Sequence, residues 1–255
     1  METAPSKQHI TLAGKIVANI LCLSHEAVTY YLSNLGEIPV ALRRGFVLPG
    51  DLAKGTGSAP APVIPEARVF PSAEAGLTEI ELWSQFWLMF KIDFSKQLAS
   101  IIPEKGRMYV VNPGTMSDQE LVELLRPLVP YYLHVDLDPF SHSVASGKMT
   151  LRSFADSVEP DTEYLGRSAK DAEGLGLTWM TRAEYIIRQA FNVWRRVLTH
   201  DVRGHTIFPH QRLGEDVACG DWDCGRLQVN LSSRLADRQY AFSGPRLAKE
   251  VPLTA

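Results

Sequence analysis

At 255 residues and 28.4 kDa the chain has room for one large domain or two small ones, and either can bury a substantial core. Apolar residues make up 45% and charged residues 22%, an ordinary globular balance. A net charge of −3 with a pI near 6.2 excludes a global basic field that would draw nucleic acid or an anionic membrane, so such binding needs a local patch.

Three cysteines, Cys22, Cys219 and Cys224, make no disulfide framework and suit a reducing interior. The N-terminus lacks the basic region, apolar core and small-residue cleavage site of a secretory leader. No stretch reaches the roughly 18 uncharged apolar residues of a membrane span. The expectation is a cytoplasmic protein without membrane insertion.

In chain order, residues 1–49 form an N-terminal helical segment. Leu12, Ile16, Ile20, Leu23, Ala27, Tyr30 and Tyr31 return at helical spacing, Ser24 suits the N-cap of a second helix, and Gly36 ends it. The stretch VANILCLSHEAVTYYLSNL is loosely similar to a helix-turn-helix, with Ala18 in its first helix, Leu21 and Leu23 about the turn, and Val28 and Leu32 inside its second. The resemblance would set His25, Glu26, Thr29 and Tyr30 against base edges. No Lys or Arg stands between Lys15 and Arg43, however, so the phosphate-binding part of DNA affinity is missing. Residues 50–76, dense in Gly, Pro, Ala and Ser, read as a linker or long loop.

Residues 77–255 read as an α/β domain. Thr78 and Glu81 make a capping box that opens a long aromatic helix running to Ile101, with Trp83, Phe86, Trp87, Phe90 and Phe94 on one face. So much apolar surface must be covered, either by the rest of the chain or by a partner docking on Trp83, Trp87 and Phe90. Met108 to Val111 is a short apolar strand closed by Asn112-Pro113-Gly114. Ser117 and Glu120 make a second capping box, and Tyr131 to Leu137 alternates as another strand. Strand, helix and strand in this order suit a right-handed parallel crossover, with ligand sites at the strand ends Asn112–Thr115 and Asp136–Asp138. The expected fold is therefore mixed α/β (α+β), a helix-rich N-terminal segment followed by a domain with a small sheet holding this strand-helix-strand unit.

Residues 141–176 read as polar loop with room for one short helix. Thr181 and Glu184 make a third capping box, opening a helix whose Tyr185, Ile186, Ala190, Phe191 and Trp194 face inwards while Arg182, Arg188, Arg195 and Arg196 point elsewhere. Arg226 to Leu231 alternates as a strand.

Two groups of residues suit a metal. His205 and His210, followed by Cys219 and Cys224, supply the two nitrogens and two sulfurs of a tetrahedral zinc site on a segment that Gly204, Pro209, Gly214, Gly220 and Gly225 make loop-like. His134, Asp136 and Asp138 share one face of the predicted strand, and the two carboxylates suit a hard cation such as magnesium. A thiol nucleophile at Cys219 or Cys224 beside a histidine is a further arrangement. The chain has no GxSxG, Walker lysine, HExxH or GxGxxG. This poverty of motifs and the greasy helix point to an interaction or assembly protein with a protein partner or a second copy. The alternatives are a metal-dependent hydrolase using zinc or the strand-end acids and, third, a helix-turn-helix regulator.

Overall fold

The computed structural model describes residues 76–134, 146–197 and 199–253, all within the unit Arg68–Ala255. The N-terminal helical segment, the helix-turn-helix likeness and nearly all of the expected linker lie outside them, as do Asp136 and Asp138. The described part is a mixed α/β fold with two sheets.

All three capping boxes form. Thr78, Ser117 and Thr181 each accept a hydrogen bond from the backbone N–H three residues on, while Glu81, Glu120 and Glu184 reach back to the cap N–H at 2.8 Å. They open α1 (Glu79–Leu88), α3 (Asp118–Leu125) and α5 (Arg182–Arg195). Each box satisfies two N–H groups that would otherwise lack helical partners.

The long aromatic helix is broken. After α1 the chain passes through Lys91 at φ 64°, the Ile92 N–H donates to the Trp87 carbonyl at 3.1 Å, and the Lys91 N–H donates to that of Leu88 at 2.9 Å. This is a Schellman closure with lysine where glycine is usual. The chain resumes as the single turn α2 (Ser95–Leu98), with the Asp93 carboxylate accepting from the Ser95 N–H. Helix α5 ends the same way, with Arg196 at φ 57° and the Val197 N–H donating to the Asn192 carbonyl.

One sheet is antiparallel, β1 (Arg107–Asn112), β3 (Thr150–Ala155) and β8 (Lys249–Glu250) in that order. The other has five strands in the order β2 (Tyr131–Leu133), β6 (Gln228–Leu235), β5 (Asp216–Asp223), β4 (His205–Leu213) and β7 (Ser243–Gly244). Strands β1 and β2 thus follow one another around α3 as expected but enter different sheets, so no parallel crossover forms. β2 lies parallel to β6, the strand expected at Arg226–Leu231. Two elements stand where loop was expected, β3 and the hairpin of β4 and β5 across the presumed chelating segment, while the short helix α4 (Ala169–Gly174) falls in the stretch read as loop with room for one short helix.

Helix α5, not α1, takes the central position. Every residue from Arg182 to Asn192 is buried, and the helix packs on α3, on β1 of the first sheet and on β5 of the second. Arg182 and Arg188, expected to point away from the core, lie inside it, each matched to a carboxylate. Arg182 pairs with Asp118 at 2.6 Å, and Arg188 pairs with Glu79 while also donating to the Tyr109 carbonyl at 2.9 Å. Glu79 accepts in addition from the Tyr109 N–H, which ties α1, β1 and α5 together. Buried arginine is tolerated because a carboxylate meets its charge. Arg246, in the mixed polar sequence that follows β6, is buried as well, donating to Asp201 at 2.6 Å, Thr206, Ser157 and Val158.

Candidate functional site

A cleft of about 590 Å³ opens where the loop after β1, the N-terminal turn of α5 and the middle of β4 meet. Asn112 and Gly114, at the strand end singled out by sequence, form one lip. Gly114 sits at φ 70°, its N–H donates to the Asn112 side chain at 2.9 Å, and its carbonyl accepts from the Gly147 N–H at 2.7 Å. A Cβ there would lie 2.0 Å from the Lys148 carbonyl oxygen, so the close approach of the two segments requires glycine.

The two capped helices supply the floor. Arg182, the first residue of α5, donates from Nε to Asp118, the first residue of α3, and the Gln211 side chain accepts from the Arg182 N–H while donating to Asp118 at 3.4 Å. On the wall, Arg152 of β3 lies 3.3 Å from Glu184 and 3.4 Å from Glu250. Burial pushes the Glu184 carboxyl above the usual carboxylate range, opposed by Arg152 and by the Thr181 N–H and hydroxyl. Capping and the ion pair occupy that carboxylate fully, so its position is accounted for structurally. At the rim, His210 lies 3.9 Å from Glu173, which also holds Arg212 at 2.6 Å. Met116, Met180, Ala183 and Phe208 provide apolar lining between these groups.

The sequence-predicted ligands take separate positions. His205 and Cys219 lie on neighbouring strands: His205 is 3.6 Å from Asp221, whose other oxygen accepts from Asn230 at 3.0 Å, and Cys219 is 3.1 Å from the Ser232 hydroxyl. His210 stands at the cleft rim, and Cys224 follows β5 in the turn to β6. Among the described residues no group of three or more His, Cys, Asp or Glu is arranged to hold a metal ion. Burial raises the Cys219 thiol pKa, the opposite of what a nucleophile needs. His134 packs edge-on against Tyr132 at the margin of the five-stranded sheet.

Trp83 and Trp87 are wholly buried, their indole N–H groups donating to the Tyr109 and Val111 carbonyls at 3.1 and 2.9 Å. Phe90 is half-buried beside Phe86 and Trp87. The chain covers its own aromatic helix.

Sequence reasoning found Asn112 and Gly114 but missed Asp118, Arg152, Glu184 and Gln211. The first and third carry only the signal of helix starts. Arg152 and Gln211 carry none, because their partners lie 29 or more positions away.

Fold and site together define a mixed α/β protein with an amphipathic cleft between helix starts and strand ends. No protein-family model matches the chain, and no curated protein or solved structure matches it significantly. Among the described residues no helix is long and apolar enough to cross a membrane.

Proposed function

We propose that this protein binds a small organic molecule in the cleft between the loop after β1 and the start of α5. The observation that carries the reading is a space of about 590 Å³, lined by Met116, Met180 and Phe208 together with hydrogen-bonding Asn112, Thr150 and Thr178. Small-molecule sites share this build, a concave and largely apolar space of about 300–1,000 Å³ with a few polar groups that orient the ligand. The assembly reading draws on poverty of motifs and on an aromatic helix in need of cover, and α5 and β1 already cover that helix. The zinc reading rested on four residues that stand apart.

The test is a fragment screen by ligand-observed NMR on the full chain, repeated on Met116→Trp and Thr178→Trp, which fill the cleft from different walls. Hits with the native chain that vanish in both folded variants are expected. A screen without hits, or hits untouched by both fillings, overturns the reading.

A further inference from the structure

We infer that the ligand of this cleft is uncharged, an amphipathic molecule with hydrogen-bonding groups and no net ionic charge. The inference rests on the binding role proposed above and adds the chemical class of the ligand.

Among the described residues that line the cleft, each charged side chain has an opposite charge beside it. Asp118 is 2.6 Å from Arg182, and Glu184 is 3.3 Å from Arg152. Arg152 also has Glu250 at 3.4 Å. An anionic ligand competes for Arg152 with the exposed Glu250 and with the buried Glu184. Glu184 cannot follow into water, because it is buried and holds the Thr181 N–H and hydroxyl at the start of α5. A cationic ligand would have to take Asp118 from Arg182, which is itself wholly buried. Either exchange strands a charge inside the protein, where an unpaired ion is far costlier than in water. A neutral ligand leaves both pairs intact and exchanges water for the side chains of Asn112, Thr150 and Thr178.

The experiment uses a fragment library built as triplets, each an aryl carboxamide with the carboxylate and aminomethyl compounds of the same ring. Saturation-transfer NMR on the full chain gives affinities at pH 7.5, with Met116→Trp and Thr178→Trp reporting which binding occurs in the cleft. The carboxamides are expected to bind in the cleft about tenfold or more tighter than either charged congener. Carboxylates or amines that bind there as tightly as the amides overturn the inference and leave the binding role standing. Absence of cleft binding by any member overturns the binding role itself.

Discussion

The indole of Trp83 and the ring of Phe191 lie face to face, with centroids 3.6 Å apart and planes 8° from parallel. This contact fastens α1 to the central helix, and Phe86 and Trp194 pack around it. Truncating either ring to alanine should cost about 3–5 kcal/mol. A double-mutant cycle should show a coupling of about 0.5–1.5 kcal/mol for the stack itself. Trp83→Phe should cost less than Trp83→Ala, because an aromatic ring remains to pack on Phe191. Urea unfolding followed by circular dichroism measures all of these, and equal losses for the two substitutions would show that the ring contributes nothing.

The buried pair of Asp118 and Arg182 gives a second test. Removing one partner leaves the other charged and enclosed, so Asp118→Ala should destabilise by about 3–5 kcal/mol. Replacing both at once, as Asp118→Leu with Arg182→Met, should recover much of that loss, because no stranded charge is left. Chemical unfolding of the three variants decides it. A double variant as unstable as the single one would show that the damage comes from lost packing.

His200 predicts the direction of a pH effect. Burial, with Arg246 and Arg188 close by, holds its imidazole well below its ordinary value of 6.5. The ring accepts from Arg188 Nε at 3.3 Å and places Nδ1 3.0 Å from the Ser157 carbonyl, an arrangement that suits the neutral form. The unfolded chain therefore binds the proton more readily. The contribution of this group is complete above about pH 6.5 and is lost as pH falls from there towards the folded value, at up to about 1.4 kcal/mol per pH unit. Glu184, raised by burial, has the opposite sign, losing stability as pH rises past its ordinary 4.5. Unfolding of the native chain and of His200→Gln between pH 7.5 and pH 5 on the order of half-unit steps isolates the histidine. The native chain should lose stability more steeply on acidification than the variant, and parallel curves would remove His200 from the account.

Gly114 and Gly147 form a controlled comparison at the cleft lip. Both occupy the left-handed region, at φ 70° and 72°, but a Cβ on Gly114 would strike the Lys148 carbonyl while one on Gly147 would meet open space. Both alanine variants should lose about 1 kcal/mol to the backbone conformation. Gly114→Ala should lose clearly more and should also weaken cleft ligands, since the lip has to move. Thermal unfolding and fragment affinities read the two effects, and identical behaviour of the variants would show that the contact yields freely.

The sequence by itself determined the three helix starts, because a capping box is a contact between residues three apart and needs nothing else. It also determined the apolar strand at Met108–Val111, the alternating strand near Leu231 and the mixed α/β class. Only the tertiary structure decided the rest. The aromatic helix stops at Lys91 through a left-handed residue that is not glycine. The segment around β4 and β5 reads as loop because Pro209 and Gly220 interrupt its pattern. Yet Pro209 lies where the register shifts between Ile207 and Arg212, and the Tyr185 ring fills the space a Cβ on Gly220 would take. Arg182, Arg188 and Arg246 look like surface residues until Asp118, Glu79 and Asp201 arrive from 45 to 109 positions away. The cleft is assembled from such distant pairs, and short-range spacing carries no trace of a charge whose partner is brought by the fold.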